Sequence, residues 1–294
     1  MSRSKPKYLF IGLGTMGYSM AGHLSKQKDI DLFIFNRSKH ASKKWLSNFK
    51  GQEFIKDKFS EIKFNGLILC LKDDAAILNI LFKQNFIQLI KSSGFILDHS
   101  TTSLELINEV ALNDKFISKN LSFFDAPVSG GEMGAINGTL AIMYGGPNSK
   151  SNVIKKIMNS YSSSITKIGP SGHGQLTKMV NQLCIAGLLQ GLAEAITLGK
   201  SSNLNMNKVF DAISGGAAQS WQMDNRFKTM VNDSFDFGFA VDLMIKDLRI
   251  ALKQANLNNL NLNTTKAVLR NYQKLSRNNF GKLDTSSLIK LLKL

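Results

Sequence analysis

The sequence has 294 residues, and its 37 lysines and arginines exceed its 21 acidic residues to give a formal charge of +16. A chain of this length can bury a large core and typically forms two domains. The charge does not predict nucleic-acid binding, because the lysines are spread along the chain with only short doublets such as Lys43-Lys44 and without an arginine-rich tract. The charge should instead attract anionic cofactors and substrates.

Targeting signals and metal or disulfide motifs are not evident. The first seven residues are polar and lead into no apolar signal segment, and no apolar run is long enough to cross a bilayer. We therefore expect a soluble, cytoplasmic protein with no membrane partner. Cys70 and Cys184 stand among apolar residues, which predicts buried free thiols, and the four histidines lack metal-ligand spacing.

An apolar strand at Tyr8–Ile11 runs directly into a glycine-rich turn and then a segment with helical spacing. This order is typical of a dinucleotide pyrophosphate site, where each glycine removes a side chain that would block the backbone or the ligand. The helix N-terminus adds unpaired N–H groups and a positive dipole end. The alternative is an ordinary glycine-rich turn. The expected cofactor contacts are Gly12, Leu13, Gly14, Thr15, Met16 and Gly17.

A second strand at Asp31–Phe35 ends at Asn36, Arg37 and Ser38. An NAD-preferring site carries an acidic residue about 20 residues beyond the glycine turn to bind the ribose 2′-hydroxyl. A carboxylate there would repel a 2′-phosphate, whereas a guanidinium binds it through paired hydrogen bonds. Asn36, Arg37 and Ser38 therefore predict NADPH preference, unless Arg37 is only a surface residue at a strand end.

Two further strands are predicted at Leu67–Leu71 and Phe95–Leu97, from short apolar runs. The carboxyl ends of parallel strands face the ligand crevice in sheets of this type. The residues expected to contact the cofactor from these ends are Leu71, Lys72 and Thr101.

Polar residues after these strands have a second interpretation as helix caps. Asp73 is a plausible N-cap for the helix that follows the first strand. Ser100, Thr101 and Ser103 could cap a helix at Leu104–Leu112 instead of contacting a ligand.

A strand at Leu121–Phe124 opens into the loop Asp125-Ala-Pro-Val-Ser-Gly-Gly. Adjacent glycines expose main-chain N–H groups, which suits a nest for an anion such as a carboxylate. Ser129, Gly130 and Gly131 are therefore predicted to bind substrate, the alternative being a tight loop required only by geometry.

The alternation of strands and helices ends near residue 169. A strand at Thr139–Tyr144, a helix at Pro147–Tyr161 and a strand at Ser164–Ile168 complete it, and everything beyond has helical character. The sequence therefore predicts an α/β fold with a Rossmann-type doubly wound sheet at residues 1–168 and an all-α domain at residues 169–294.

A long helix is predicted from Gly174 to Lys200. It places Lys178, Asn181 and Gln182 on one face, while Leu176, Met179, Val180 and Leu183 point into packing. A lysine beside two amides can protonate a carbonyl oxygen as hydride arrives, provided that desolvation lowers its pKa. The alternative is an ordinary solvated lysine.

Helices should make up the rest of the chain. Trp221 follows a glycine-rich connection and is a possible pocket wall, and Phe235–Phe239 is an aromatic cluster typical of a core. Lys246-Asp247 would normally be a solvated pair. Arg270–Asn279 is predicted as a loop or helix end, and Leu283–Leu294 as a short amphipathic helix.

Four motifs in this order resemble the β-hydroxyacid dehydrogenase family, which includes 3-hydroxyisobutyrate dehydrogenase, tartronate semialdehyde reductase and the glyoxylate and succinic semialdehyde reductases. The resemblance covers nearly the whole chain, and it extends to 6-phosphogluconate dehydrogenase-like proteins. The motifs are GLGTMG at 12–17, DAPVSGG at 125–131, GHGQLTKMVNQ at 172–182 and GFAVDLMIKDL at 238–248.

The resemblance implies an NADP(H)-dependent oxidoreductase acting on a small 3-hydroxy acid or aldehyde acid, with Lys178 as general acid/base. It implies that Ser129, Gly130 and Gly131 bind the substrate carboxylate and that Lys246 reaches the cofactor, with Asp247 beside it. It leaves open whether Asn181 or Gln182 contacts the substrate, and Trp221 is expected near it.

The resemblance also implies a homodimer or homotetramer. An NAD-dependent 3-hydroxyisobutyrate-type dehydrogenase is the alternative enzyme, and an NADPH-binding sensor without catalysis is the alternative outside enzymes.

Overall fold

The computed structural model describes residues 4–55 and 61–292. The chain divides into two compact units, Met1–Lys178 and Met179–Leu294, and the division falls inside one long helix. The expected domain boundary after residue 168 stays a prediction.

The first unit contains a mixed β-sheet. The strands are, in chain order, β1 (Lys7–Ile11), β2 (Asp31–Phe35), β3 (Gln52–Glu53), β4 (Phe64–Leu69), β5 (Ile90–Asp98), β6 (Ser122–Asp125), β7 (Val128–Ser129), β8 (Leu140–Gly145) and β9 (Ser162–Gly169). Several of them differ from the expectation in their first or last residues. The strand predicted at Leu67–Leu71 begins and ends earlier, so Leu71 follows it, and the strand predicted at Phe95–Leu97 is nine residues long.

The strand order is that of a doubly wound sheet. It runs β3-β2-β1-β4-β5-β6-β8-β7, and β9 pairs with β8. Pairs from β3 through β6 are parallel, whereas β8 is antiparallel to β6 and β7. The order reverses between β1 and β4, which is the point where such sheets bind ligands. The predicted fold class is confirmed in this respect.

Both faces of the sheet are buried, as the apolar runs of the strands require. Side chains alternate along β1, so Tyr8 and Phe10 enter one apolar layer while Leu9 and Ile11 enter the other. All four are at most 5% exposed.

Helices connect the strands of this unit. They are α1 (Thr15–Leu24), α2 (Lys39–Asn48), α3 (Asp74–Leu78), α4 (Leu104–Ala111), α5 (Asp114–Ser118), α6 (Gly131–Asn137) and α7 (Ser151–Met158), with a π-helical turn at Asn79–Lys83 and a 3-10 turn at Phe86–Leu89. The helix predicted at Pro147–Tyr161 is shorter than expected, because Lys150 adopts a left-handed conformation immediately before α7. Asp73 caps α3, as predicted, by accepting a hydrogen bond from the Ala76 N–H.

The second unit is helical in its described residues. Its elements are α8 (His173–Ser201), which begins in the first unit, α9 (Met206–Ile213), α10 (Trp221–Val231), α11 (Val241–Leu257), α12 (Asn263–Leu275), a π-helical segment (Ser276–Phe280) and a 3-10 helix (Thr285–Leu292).

The stretch Arg270–Asn279, predicted as a loop or helix end, contains the end of α12 at Leu275 and most of the π-helical segment that follows. Tyr272 and Leu275 bury apolar surface and hold the first part of the stretch helical. The helix predicted at Leu283–Leu294 begins at Thr285, and its last two residues lie outside the described part of the chain.

By length and composition alone, α8 could cross a membrane, and it is the one such helix in the described residues. The expectation that no apolar segment reaches this length is therefore wrong. Ala186, Leu189, Ala193 and Ile196 on this helix are buried in the core of the second unit, which is typical of the central helix of a globular unit.

The two cysteines are free, as predicted, but neither is classed as buried. Cys70 is partly buried, while Cys184 is exposed on α8. Val180, on the same helix, is 60% exposed and does not pack as expected. Apolar sequence neighbours did not predict the burial of Cys184 and Val180, because one side of α8 that carries apolar residues is exposed.

Candidate active site

The carboxyl ends of the central strands form one row across the sheet. Strand register places Ile11 beside Leu69, Leu69 beside Asp98, and Asp98 beside Asp125. The loops that leave these residues therefore start from a single edge. This edge gathers the predicted cofactor and substrate residues of the first unit.

The turn after β1 has the geometry that its glycines predict. Gly12 has a positive φ of 100°, and a Cβ atom there would lie 2.2 Å from the Cys70 carbonyl oxygen. A Cβ atom at Gly17 would lie 2.0 Å from the Gly12 carbonyl oxygen, so this glycine lets α1 pack against the turn. A Cβ atom at Gly14 would meet nothing within 4 Å, and both Gly14 and Thr15 are exposed.

This turn fits a dinucleotide pyrophosphate. Gly14 is the N-cap of α1 and provides no side-chain cap to the first-turn N–H groups. Open space above Gly14 leaves the N–H groups at the exposed start of the helix, those of Thr15 and Met16, accessible to phosphate oxygens at the positive end of the helix dipole.

Asn36 ties the end of β2 to the glycine turn. Its Oδ1 accepts a hydrogen bond of 3.0 Å from the Leu13 N–H, and its Nδ2 donates to the Ser38 carbonyl oxygen at 3.2 Å. The partly buried Asn36 amide therefore links the glycine turn to the residues that follow β2. Arg37 and Ser38 are exposed immediately before α2.

The loops after β4 and β5 are joined by a hydroxyl. Ser100 Oγ accepts a hydrogen bond of 2.8 Å from the Leu71 N–H, and the Ser100 N–H donates to Asp98 Oδ1 at 2.9 Å. Lys72 is exposed, and Thr101 is partly buried. The capping interpretation holds for Ser103, which accepts a hydrogen bond from the Leu106 N–H at the start of α4.

Buried titratable groups lie directly beneath this edge. Burial raises the pKa of Asp98 to about 7, helped by the carboxylates of Asp125 and Asp74 and opposed by hydrogen bonds from Ser100. Burial also lowers the pKa of His99 to about 4, and its ring bonds to the Ala126 carbonyl oxygen. His99 is therefore neutral at physiological pH and holds the loop after β6 in place.

Lys178 lies against the predicted substrate loop. Its side chain is buried, with 7% exposure, and its Nζ donates to the Val128 carbonyl oxygen at 2.9 Å. Ser129 follows directly, and Gly130 and Gly131 have positive φ values of 125° and 62°. The structure thus brings the lysine of the third motif to the loop of the second, and the solvated alternative for Lys178 is wrong.

In the second unit, four polar side chains form a chain of contacts. Asn181 Nδ2 donates to Gln182 Oε1 at 2.9 Å, and Gln182 Nε2 donates to Asp247 Oδ2 at 2.6 Å. Lys246 Nζ lies 2.9 Å from Asp247 Oδ1. Asp247 is only 2% exposed, so the expected solvated pair is instead a largely buried ion pair. Gln182 is buried as well, whereas Asn181 is partly exposed.

Trp221 is 55% exposed at the start of α10. The Arg226 guanidinium carbon lies 5.2 Å from the Trp221 ring and 4.9 Å from the Phe237 ring. Asp284 anchors that guanidinium through a 3.1 Å hydrogen bond. Trp221 and Phe237 therefore both lie against Arg226, and Trp221 remains largely exposed.

The sequence reasoning did not assign roles to three residues that hold this site together. They are Asp98, Asp125 and Gln175, each fully or almost fully buried. Asp125 and Gln175 lie within the second and third motifs, but a polar residue type alone does not reveal that its partners are backbone groups. The signal available was a carboxylate directly at the end of two neighbouring apolar strands.

Comparison with known proteins gives the family. A model described as the NAD binding domain of 6-phosphogluconate dehydrogenase matches residues 7–169, and one described as NAD-binding of NADP-dependent 3-hydroxyisobutyrate dehydrogenase matches residues 172–292. An uncharacterized oxidoreductase of Shewanella frigidimarina is 41% identical over 96% of this chain and 97% of its own. The chain belongs to the β-hydroxyacid dehydrogenase family.

Other relatives agree with this membership. The dehydrogenase is 31% identical to the probable 3-hydroxyisobutyrate dehydrogenase-like 1, mitochondrial, of Arabidopsis thaliana, over 97% of this chain and 85% of that protein. Its fold matches Mycobacterium tuberculosis 3-hydroxyisobutyrate dehydrogenase, solved with L-serine, with a TM-score of 0.87, 24% identity, and coverage of 99% and 100%. The predicted resemblance is confirmed, and the protein is a pyridine-nucleotide-dependent hydroxyacid dehydrogenase.

The substitution Asp98→Asn should change how stability depends on pH. Because the pKa of Asp98 is raised from 3.8 to about 7, the folded dehydrogenase keeps a proton that the unfolded chain has released between these values. Asp98 therefore lowers the free energy of unfolding as pH rises through this window. The amide does not titrate, so the free energy of unfolding of the variant minus that of the wild type should increase with pH, by on the order of 4 kcal/mol at most.

Urea unfolding of both proteins at pH 5, 6, 7 and 8 measures this difference. The low pKa of His99 gives a slope of opposite sign in both proteins and cancels in the comparison. If the free energy of unfolding of the variant minus that of the wild type stayed constant from pH 5 to pH 8, Asp98 would be ionised throughout this range.

Proposed function

We propose that this dehydrogenase is an NADP(H)-preferring enzyme that interconverts a small 3-hydroxy acid and the corresponding aldehyde acid, with Lys178 as general acid and base. The observation that carries the proposal is the buried Lys178 amine at 2.9 Å from the Val128 carbonyl oxygen, directly before Ser129. A proton donor and a carboxylate-binding loop are then adjacent, as the reaction requires.

The substrate carboxylate is assigned to Ser129, Gly130 and Gly131. The positive φ values of the two glycines give the backbone the turn that directs successive N–H groups toward an anion, and Ser129 adds a hydroxyl. A Cβ atom at Gly131 would meet nothing within 4 Å, which leaves space above the loop for a small molecule.

Lys178 supplies the proton. In reduction, its ammonium group donates a proton to the carbonyl oxygen, which becomes the hydroxyl of the product; in oxidation, the neutral amine accepts that proton. When bound, the nicotinamide supplies or accepts the hydride. The hydrogen bond to the Val128 carbonyl oxygen holds the amine in place beside the reacting carbon.

The cofactor preference rests on the end of β2. The side-chain oxygen of Asn36 already accepts a hydrogen bond from the Leu13 N–H. We therefore assign recognition of a 2′-phosphate mainly to Arg37 and Ser38, which are exposed. Leu71, Lys72 and Thr101, at the ends of the next two strands, are assigned to the rest of the cofactor.

Residues of the second unit complete the assignment. We place Lys246 at the cofactor, with its charge held by Asp247, and we place Trp221 and the partly exposed Asn181 at the substrate. Both polar atoms of the Gln182 amide already form hydrogen bonds, its oxygen with Asn181 and its nitrogen with Asp247. This favours Asn181 as the amide that contacts the substrate.

The substitution Lys178→Ala should lower kcat about 10²–10⁴-fold, the usual contribution of a positioned general acid. NADPH binding should change little, because Lys178 is not assigned to the cofactor. NADPH oxidation with a panel of small aldehyde acids measures turnover, and fluorescence titration measures binding. Lys155→Ala, which removes an exposed lysine on α7, is the control.

Two results would contradict the role of Lys178. Retention of most activity in Lys178→Ala would remove it from the chemistry. NADPH binding by the wild type without turnover of any aldehyde acid or hydroxy acid would favour the sensor alternative.

The substitution Arg37→Ala should raise the KM for NADPH about tenfold or more, because a charge-assisted hydrogen bond to phosphate is lost. The KM for NADH, which lacks the 2′-phosphate, should stay within about twofold and serves as the internal control. Steady-state kinetics with both cofactors give the ratio. A wild type that prefers NADH, or an Arg37→Ala variant with unchanged NADPH kinetics, would favour the NAD-dependent alternative.

We further propose that the protein forms a homodimer or homotetramer. Val180, Leu188 and Leu198 on α8 are 60%, 46% and 69% exposed. Exposed apolar side chains grouped along one side of a helix are typical of a surface that associates with another protein chain. Light scattering should give a mass of at least twice 32.5 kDa. The double substitution Val180→Glu and Leu188→Glu should reduce that mass, whereas Leu112→Glu in the first unit should not.

A wild-type mass of one chain would contradict association. An oligomer whose mass is unaffected by the α8 substitutions would place the interface elsewhere.

A further inference from the structure

Gln175 is a fully buried amide in the first turn of α8, and both of its polar atoms bind backbone groups of the loop after β5. Its Nε2 donates to the Ser100 carbonyl oxygen at 2.7 Å, and its Oε1 accepts from the Thr102 N–H at 3.1 Å. Its exposure is 0%. The amide thus pairs with the loop as a neighbouring strand would, and the two bonds enclose Thr101.

The backbone of the same turn is fixed independently by Asp125. Asp125 Oδ1 accepts from the Gly172 N–H at 2.7 Å, and its Oδ2 accepts from the Gln175 N–H at 2.8 Å. A Cβ atom at Gly174 would lie 2.4 Å from the Asp125 carbonyl oxygen, so the turn is pressed against the end of β6. The start of α8 is therefore attached to the end of β6 by hydrogen bonds and by close backbone packing.

Lys178 lies three residues after Gln175 and therefore on the same side of α8. Its Nζ binds the Val128 carbonyl oxygen. One helical turn consequently bonds to the loop that encloses Thr101 through Gln175 and to the loop before Ser129 through Lys178.

We propose that Gln175 is a positioning residue that sets the separation between the Ser100–Thr102 loop and Lys178. This rests on the proposed function, in which Thr101 contacts the cofactor and Lys178 transfers the proton. Small displacements of reacting groups are expensive, since about 1 Å of misplacement can cost about 10²-fold in rate.

The substitution Gln175→Met keeps the length of the side chain and removes both hydrogen bonds. It should lower kcat about 10²-fold and weaken NADP⁺ binding about tenfold, because the cofactor loop and the helix lose their connection. Asn113→Ala is the control for stability, since it removes the N-cap of α5. That helix precedes the amino end of β6, away from the carboxyl ends of the strands where the proposed site lies. That control should lower stability while leaving kcat and NADP⁺ affinity within about twofold of the wild type.

The substitution Gln175→Glu distinguishes loss of the hydrogen bonds from a general loss of packing, because only the former should depend on pH. A protonated carboxyl can donate to the Ser100 carbonyl oxygen and accept from the Thr102 N–H, whereas a carboxylate can only accept. Relative to the wild type at each pH, NADP⁺ affinity of this variant should approach the wild-type value at pH 5 and fall about tenfold by pH 8. Fluorescence-competition titration with NADP⁺ measures this without turnover.

The outcomes separate this inference from the proposed function. Unchanged NADP⁺ affinity in Gln175→Met, or pH-independent relative affinity in Gln175→Glu, overturns the role of Gln175. Weakened affinity with unchanged kcat also overturns it, because Lys178 would then be placed without the amide. A wild type that turns over no hydroxy acid or aldehyde acid overturns the proposed function. The NADP⁺ affinities of the Gln175 variants would still test the role of Gln175 in that case, because their measurement needs no turnover.

Discussion

The buried carboxylate of Asp125 is the constraint on which the site depends. Burial raises the pKa of Asp125, and N–H groups of Gly172, Gln175 and Gly174 counter that effect by binding the carboxylate. A charged group removed from water is tolerated only when its oxygens are paired in this way. The pairing satisfies N–H groups at the start of α8 and attaches the helix to the end of β6. Lys178, three residues after Gln175 on the same helix, is placed by the same contact.

The sheet determines what the helix meets. Because β1, β4, β5 and β6 are parallel neighbours, their carboxyl ends lie in one row, and the loops that follow them share an edge. Hydrogen bonds between loops then fix them to each other, as between Asn36 and Leu13 and between Ser100 and Leu71. These hydrogen bonds give the backbone N–H groups of the loops defined positions along the sheet edge.

Much of this architecture could be predicted from the sequence, because the decisive residues act locally. Gly12 and Gly17 are required by steric limits on the turn itself, and the apolar run of β1 identifies the strand before it. The order of four motifs located Lys178, whose burial a single residue type would not predict. The change from strands to helices near residue 169 was equally visible in the periodicity.

Other features depend on partners far away in the chain and could not be predicted. The burial of Asp247 depends on Gln182, 65 residues earlier, and neighbouring residues gave no sign of it. The helical state of Arg270–Leu275 is imposed by the core around Tyr272, against the polar, asparagine-containing composition of that stretch. The left-handed Lys150 that delays α7 also has no clear signal in the sequence.

The central proposal is that a hydroxy acid binds with its carboxylate at Ser129–Gly131 and its hydroxyl at Lys178. A crystal structure of the dehydrogenase with NADP⁺ and a small 3-hydroxy acid tests it most directly. The account predicts Lys178 Nζ within about 3 Å of the substrate hydroxyl, with the carboxylate on the Ser129–Gly131 loop. A substrate bound elsewhere, or a Lys178 amine turned away from it, would contradict the account.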